Sequence, residues 1–330
     1  MLPNKIVYLF GAGATHSEII NLENNPDATF RDNNGLLISN VSTRVMKRAH
    51  KKNPWFKKYE NVFTSAKGSF NIELLISLFE ANQIPDYIIS SLKKLVHEDI
   101  KKRLSQSRRM KFYLHKALFE LHQKIEDRET LLGIISLNYD SVLDEAYEKL
   151  FTKRPNYCLT SERDNSLPVL KLHGSFNWNR IKIYGKLKNI SIVPIGINKN
   201  YLAPPYNFIW GRAFELLEEC DILRIVGCSL NQNDVGLIDL LFKAHLEKRK
   251  DIKMEIIDFQ PKDSNHSIKN NYGFFPGIIN PLDIESTLIK DESISNLDVG
   301  NPFKIWLKAK AEKMLDSQIS ETKYLKKCFA

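Results

Sequence analysis

The sequence contains few cysteines, and none of them form a paired motif. The four cysteines among 330 residues stand at positions 158, 220, 228 and 330. None of them has the Cys-x-x-Cys spacing of a structural zinc site. Scattered cysteines in a chain of this length do not indicate a disulfide framework either. We therefore expect no bound metal, no zinc and a reducing, cytoplasmic setting.

Long apolar runs and repeats are also missing. No run approaches the roughly 20 residues of a membrane span, so no membrane association is expected. Residues 1–10 are too short for a secretory signal with its cleavage site, and we interpret them as a first core strand. The hydrophobic share of 43% and the charged share of 26% are typical of a globular chain with a sizeable core.

Positive charge is in excess, with a formal net charge of +9 at pH 7. Basic residues cluster at 47–52 and 101–109, and such clusters can attract nucleic acid. Lysine-rich helix faces in solvent give the same pattern, and a positive field also suits a small anionic substrate. Contact with nucleic acid is therefore left open.

Short apolar runs that end at a glycine or a polar residue predict buried parallel strands. Strands that alternate with helices indicate a doubly wound, Rossmann-like parallel sheet of the α/β class. Strands are predicted over 5–10, 132–137, 169–172, 222–226 and 253–257, and helices over 141–150, 210–219 and 234–249.

A block with helical spacing separates the first strand from the others. Apolar residues recur every three or four positions over 72–79, 88–96 and 114–125, whereas the polar stretch 23–34 is predicted to be a loop. We expect a Rossmann domain over 1–41 and 129–290, an inserted helical module over 42–128, and a C-terminal helical tail over 291–330 with its helix at 302–327.

The polar residues of interest all follow predicted strands directly. In open parallel sheets, ligands bind beyond the carboxyl ends of the strands. We therefore predict one site at this edge, composed of five segments: Gly11-Ala12-Gly13, Asn138-Tyr139-Asp140, His173-Gly174, Gly227-Cys228-Ser229 and Asp258.

The loop from Gly11 to Thr15 is a candidate phosphate-binding turn. Glycines allow backbone to approach a phosphate, and the following helix offers N–H groups to it. His16 occupies the place of the third glycine in the dinucleotide-binding fingerprint, and no acidic residue on a second strand follows. These departures argue against a hydride-transferring dehydrogenase. A tight turn without a ligand stays the alternative.

His173 and Asn138 are the candidate catalytic residues. Imidazole titrates near neutrality and can accept a proton from water or a sugar hydroxyl. The Asn138 amide can orient such a group, while Asp140 can either balance a cation or cap the next helix. Cys228 is a possible nucleophile, but we favour a small residue packed under a nucleotide.

These segments resemble motifs of the sirtuin superfamily, in the same order along the chain. Residues 11–15 resemble its Gly-Ala-Gly-x-Ser/Thr phosphate loop, and 138–140 its Asn-x-Asp motif. Residues 171–174 resemble the strand that presents its catalytic histidine, and 225–230 its Gly-Thr/Tyr-Ser-Leu motif under the ribose. Asp258 falls where the family holds the adenosine ribose. The resemblance covers the start of the chain and roughly 130–260, but not the helical block.

The resemblance implies an enzyme that consumes NAD as its substrate. Asn138 and His173 would be catalytic, and the residues Gly11, Ala12, Gly13, Thr15, Asp140, Gly227, Ser229 and Asp258 would bind the dinucleotide. Sirtuin deacylases carry two Cys-x-x-Cys zinc pairs, which this sequence lacks. The chain looks more like the bacterial sirtuin-like NAD hydrolases of anti-phage defence.

Members of that group cleave NAD to nicotinamide and ADP-ribose. Their properties imply a homo-oligomer and a separate partner, such as a translocase-type ATPase or a short Argonaute. Three other functions stay open: a protein deacylase or ADP-ribosyltransferase, a non-catalytic NAD- or ADP-ribose-binding subunit, and a nucleic-acid-processing protein.

Overall fold

A computed structural model of the chain describes the residues that form the sheet, its flanking helices and most of their connections. The predicted loop over 23–34, the predicted tail over 291–330 and Asp258 lie outside the described residues. The described residues are 2–22, 36–59, 71–104, 115, 119, 129–162, 164–178, 181–183, 186–188, 201–230, 234–247, 252–257, 271–272 and 279–281.

A six-stranded parallel sheet forms the centre of the fold, and its strand order is β3-β2-β1-β6-β7-β8. The separate strands β4 and β5 pair with each other in antiparallel fashion. The strands are β1 (Asn4–Phe10), β2 (Glu129–Ser136), β3 (Val169–Lys171), β4 (Ile181–Ile183), β5 (Lys186–Lys188), β6 (Ile222–Val226), β7 (Lys253–Ile257) and β8 (Ile279–Pro281).

Seven α-helices and one short 3₁₀ helix, Pro54–Phe56, have bounds within the described residues. The α-helices are α1 (Ala12–Leu22), α2 (Ile38–Lys52), α3 (Ile72–Ala81), α4 (Asp86–Leu104), α5 (Val142–Phe151), α6 (Tyr206–Glu219) and α7 (Val235–Glu247). The α/β class and the doubly wound parallel sheet are therefore confirmed. Strands β4, β5 and β8 are additions that the sequence did not predict.

The central strand β1 is buried on both faces, which explains its continuous apolar run. Ile6, Tyr8 and Phe10 pack into one apolar core together with helices α2 to α5. The alternate residues Val7 and Leu9 pack into a second core with α6 and α7. The sheet is therefore covered by helices on both sides.

The predicted helical periodicity appears as buried side chains on α3 and α4. Their apolar residues belong to the same core as the first face of the sheet. Helix α2 begins at Ile38, before the predicted start of the module at residue 42. The division of the chain into domains stays a prediction.

Part of the basic cluster on α2 is already paired with acidic residues of α4. Arg48 of this cluster contacts Glu98 at 2.8 Å, and Arg44, one turn earlier on the helix, contacts Asp99 at 2.6 Å. Lys47 is exposed, and a nucleic-acid partner stays a prediction.

The arginine of strand β6 forms a buried ionic cluster that the sequence did not indicate. Arg224 is fully buried, and its guanidinium donates to Glu129 at 2.6 and 2.7 Å, to Glu255 at 2.6 Å and to the Tyr8 hydroxyl at 3.1 Å. Parallel register aligns Tyr8, Arg224 and Glu255 across three strands. Burial raises the pKa of Tyr8 to about 12. The cluster is therefore part of the sheet's interior.

Candidate functional site

A cavity of about 430 Å³ lies at the carboxyl edge of the sheet. From β1 the chain builds the sheet outward through β2 and β3, and from β6 it builds the sheet in the opposite direction through β7 and β8. The strand order therefore reverses between β1 and β6. Ligands of open α/β sheets bind at such a point, and the volume is in the range of small-molecule sites. Predicted site residues that line it are Gly11, Ala12, Gly13, Asn138, Asp140, His173, Gly227 and Ser229.

The glycines of this edge allow two loops to interlock. The amide of Gly11 donates to Val226 O at 3.0 Å, and the amide of Gly13 donates to Gly227 O at 2.8 Å. A Cβ atom on Gly13 would lie 2.8 Å from both Cα and O of Gly227, and Gly227 itself has a φ of +57°. Backbone of the second loop thus occupies the space that side chains would need.

This interlocking also changes what the loop can offer to an anion. The amides of Gly11 and Gly13 bind carbonyls of the second loop, and the Ala14 amide donates to Gly11 O at 3.1 Å. Phosphate binding at this loop stays a prediction, and it falls mainly on the Ala12 amide because the three neighbouring amides already donate to carbonyls.

A chain of buried hydrogen bonds joins the first loop to the Asn138-Tyr139-Asp140 segment. Asn138 Nδ2 donates to Gly11 O at 2.9 Å and to Thr15 Oγ1 at 3.0 Å, and the Thr15 hydroxyl donates to Asp140 Oδ2 at 2.9 Å. A carbonyl can only accept, so the amide nitrogen must be the atom that faces Gly11. The Asn138 amide oxygen is the atom that a ligand could reach.

Asp140 has two structural duties in this arrangement. Its Oδ1 accepts from the Val142 amide at 3.0 Å, at the start of α5, as a capping carboxylate does. Burial raises the pKa of Asp140, although Lys171, the Val142 amide and the Thr15 hydroxyl oppose the rise. Thr15 lies beneath the loop and connects Asp140 to Asn138.

Lys171 holds the Asn138-Tyr139-Asp140 segment in place, a role that the sequence did not reveal. Its ammonium is fully buried, donates to the Asp140 carbonyl and forms an ion pair with Asp144 at 2.7 Å. Asp144 also accepts from the Tyr157 hydroxyl. A lysine within the apolar run of β3 was the available signal, because a buried lysine needs a carboxylate partner.

His173 faces the carboxylate of Asp234, which stands just before helix α7. Its Nε2 lies 3.2 Å from Asp234 Oδ2, with only 6% of the His173 side chain and 12% of the Asp234 side chain exposed. The Tyr139 ring lies against the imidazole, with centroids 5.7 Å apart. Gly174, at a φ of 80°, turns the chain directly after the histidine.

Asp234 is therefore a site residue that sequence reasoning missed. It stands just before α7, where an aspartate is ordinary as a helix cap. Only the tertiary structure brings it to His173, where a carboxylate can accept a hydrogen bond from the ring and orient it.

The cavity also has a wall from the helical block. Glu73, Val96 and Ile100 of this block line it, as do Leu37 and Val41 just before the block. Burial, followed by the charges of Glu73 and Asp234, raises the pKa of Tyr139 well above its ordinary value. The buried Tyr139 hydroxyl has no hydrogen-bond partner in the described part of the chain. The helices of the block thus help to form the site.

The remaining predicted residues of the second loop have mixed environments. Cys228 is 5% exposed and lines the cavity, and its carbonyl accepts from the Tyr272 hydroxyl at 3.1 Å. Ser229 is exposed, and its carbonyl accepts from Asn271 Nδ2 at 2.7 Å.

Across the described ranges, no group of three or more His, Cys, Asp or Glu side chains could hold a metal ion. No helix among them is long and apolar enough to cross a membrane.

The fold and the cavity define the chain as a Rossmann-like α/β protein with a ligand-sized site at the switch point of its sheet. No family model and no curated protein sequence matches it.

Solved structures of Sir2 proteins are similar at low identity. One, from work on the mechanism and regulation of Sir2 enzymes, is 16% identical with a TM-score of 0.38, over 94% of each chain. Another, Sir2Tm bound to a propionylated peptide, is 12% identical with a TM-score of 0.37, over 95% of this chain and 94% of that one. A Sir2 homologue–NAD complex is 16% identical with a TM-score of 0.33, over 78% and 79%. At these scores the similarities assign no activity to this chain.

Proposed function

We propose that the protein binds NAD in this cavity and hydrolyses it to nicotinamide and ADP-ribose. The observation that carries the proposal is the meeting of Asn138, His173 and the Gly11 loop at one cavity on the switch point of the sheet. The motif resemblance supplies the identity of the ligand. The proposed binding residues remain Gly11, Ala12, Gly13, Thr15, Asp140, Gly227, Ser229 and Asp258.

The reaction breaks the bond between the nicotinamide nitrogen and C1′ of the ribose, and water adds at C1′. One proton leaves the attacking water, and His173 accepts it. Asp234 stabilises the resulting imidazolium, because its carboxylate lies 3.2 Å from Nε2. The Asn138 amide oxygen orients the water or a ribose hydroxyl. Nicotinamide departs as a neutral molecule, so charge and atoms balance.

The direct test incubates the purified protein with NAD and measures nicotinamide and ADP-ribose by chromatography. His173→Ala should reduce turnover by at least ~100-fold, the usual contribution of a general base. His50→Ala is the matched control, since it removes a histidine of α2 that does not line the cavity. Wild-type protein that is inert both alone and with the product of the neighbouring gene would contradict hydrolysis.

The proposal extends to a biological role in the cytoplasm. An enzyme that destroys NAD must be held inactive in a healthy cell, as an abortive-infection effector of anti-phage defence is. A homo-oligomer and a separate partner, a translocase-type ATPase or a short Argonaute, would supply that control. Measuring cellular NAD after phage infection, with and without the intact gene, tests this role.

A second candidate is a subunit that binds NAD or ADP-ribose without turnover. The specific observation in its favour is that the Asn138 amide nitrogen already donates to Gly11 and Thr15. In that case ADP-ribose and NAD would both bind in calorimetry, while no nicotinamide would be released.

A further inference from the structure

The charged side chains that line the described part of the cavity are all acidic. Among the described residues that line it are three carboxylates, those of Glu73, Asp140 and Asp234, and no lysine or arginine. Yet the whole chain carries a net charge of +9. The cavity is thus locally acidic in a basic protein, which favours a ligand that carries positive charge where it meets these groups.

Two of the three carboxylates are engaged within the protein, and Glu73 is not. Asp140 accepts from Thr15 and Val142, and Asp234 lies beside His173. No hydrogen bond or ion pair joins the Glu73 carboxylate to another residue in the described ranges. Its side chain is partly buried, so a cationic ligand could take it as a partner.

The position of Glu73 is fixed by the start of helix α3. Asn71 caps this helix by accepting from the Leu74 amide at 3.0 Å. The Ile72 amide donates to Ser42 Oγ at 3.0 Å, which ties the same turn to α2. The carboxylate is therefore presented from a capped turn that is anchored on a neighbouring helix.

The cavity is lined by Glu73 and Asp234 together with Tyr139 and His173. Both charges raise the pKa of Tyr139, whose ring packs on His173. The pyridinium ring is the only positively charged group of NAD⁺, so these carboxylates favour its placement beside them. In NAD⁺ that ring is a pyridinium cation, whereas in NADH it is neutral.

We infer that Glu73 is a specificity-determining residue that selects the oxidised, positively charged dinucleotide over the reduced one. The inference rests on the proposed function. Its physical basis is the attraction between a partly buried carboxylate and a cation in a site of reduced dielectric. Removing the charge should weaken binding of the cationic ligand about tenfold and leave neutral-ring ligands within about twofold.

The experiment measures dissociation constants by calorimetry for three ligands. These are NADH, ADP-ribose and carba-NAD⁺, a hydrolysis-resistant analogue that keeps the pyridinium. The variants are Glu73→Gln, Glu73→Asp and the control Asp86→Asn. Asp86 is the acidic residue in the first turn of α4 and does not line the cavity, so it reproduces the loss of a charge at a helix start. Thermal melts verify folding, and Glu73→Asp keeps the charge should the glutamine variant fail to fold.

The expected result is a preference of the wild type for carba-NAD⁺ over NADH that Glu73→Gln abolishes, while Glu73→Asp and Asp86→Asn retain it. A Glu73→Gln protein that keeps the preference, or that loses all three ligands equally, overturns the inference and leaves the proposed function standing. Wild-type protein that binds none of the three ligands removes the proposed function and the inference together.

Discussion

Asn138 holds the candidate site together, so replacing it by aspartate should destabilise the fold. Its Nδ2 group donates to Gly11 O and to Thr15 Oγ1. The Thr15 hydroxyl already donates to Asp140. Asn138→Asp keeps the shape of the side chain but places a carboxylate oxygen against two acceptors, and it adds a negative charge near Asp140.

The magnitude follows from the bonds that are lost. Two lost hydrogen bonds contribute about 1 kcal/mol each, and the introduced carboxylate oxygen, buried against two acceptors without a donor, costs about 1–3 kcal/mol more. Asn138 is 8% exposed, so water compensates little. We expect a loss of about 3–5 kcal/mol in the free energy of unfolding, a large part of the roughly 5–15 kcal/mol of a typical domain.

The pH dependence of this loss gives a second signature. Burial and the adjacent oxygens raise the pKa of the introduced carboxyl in the folded state above its unfolded value. The protonated acid can donate to Gly11 O. The loss should therefore be smallest below the unfolded pKa of about 4 and grow as pH rises through the folded pKa.

Urea denaturation followed by circular dichroism at pH 4.5 and pH 7.5 measures the effect. The control is Asn156→Asp, where the wild-type amide donates to Asp164 at an exposed position and the expected loss is below about 1 kcal/mol. An Asn138→Asp protein as stable as the control at pH 7.5 would refute the reasoning. In that case Asn138 would have no structural role in the loop, and only its proposed catalytic role would remain.

Three further predictions concern the loops and the core. Gly13→Ala should weaken ligand binding and lower the melting temperature, because its Cβ would meet Gly227 backbone at 2.8 Å; unchanged calorimetry and melting would contradict the interlocking. Asp140→Asn should become more stable relative to wild type as pH rises above 3.8. Burial raises the pKa of Asp140, so the protonated carboxyl favours the folded wild type, and this stabilisation is lost as the carboxyl ionises. A pH-independent difference in urea titrations would argue otherwise. Arg224→Met should lower the free energy of unfolding by about 3–5 kcal/mol, because it leaves the buried Glu129 carboxylate without its cation. A loss under about 1 kcal/mol in the same titrations would show that Arg224 does not hold Glu129.

The strands could be predicted from the sequence because a strand that is buried on both faces has a continuous apolar run. The strand over Ile222–Val226 begins and ends where it was predicted, despite its charged Arg224. The order of strands could not be predicted, since pairing depends on contacts between distant segments. Strand β8 was missed because its three residues, Ile279–Pro281, are too few to show a period and include a proline.

The site residues divide in the same way. Gly11, Asn138 and His173 were recognisable because each follows an apolar run directly, and the structure places all three on one cavity. Asp234 and Glu73 carry no such local signal, because an acidic residue at a helix start is ordinary. Their relation to the cavity arises only when α3 and α7 pack beside the sheet.

This division also separates two parts of the proposed chemistry. The edge formed by Gly11, Gly13 and Gly227 belongs to the sheet, and motif resemblance extends over it. The wall that carries Glu73 belongs to the helical block, which the resemblance does not cover. Under the proposed function, the glycine edge would hold the dinucleotide, while the helical block would decide which ring is accepted. Substitutions in the block should therefore alter the choice between oxidised and reduced ligand, and substitutions at the glycine edge should weaken both ligands alike.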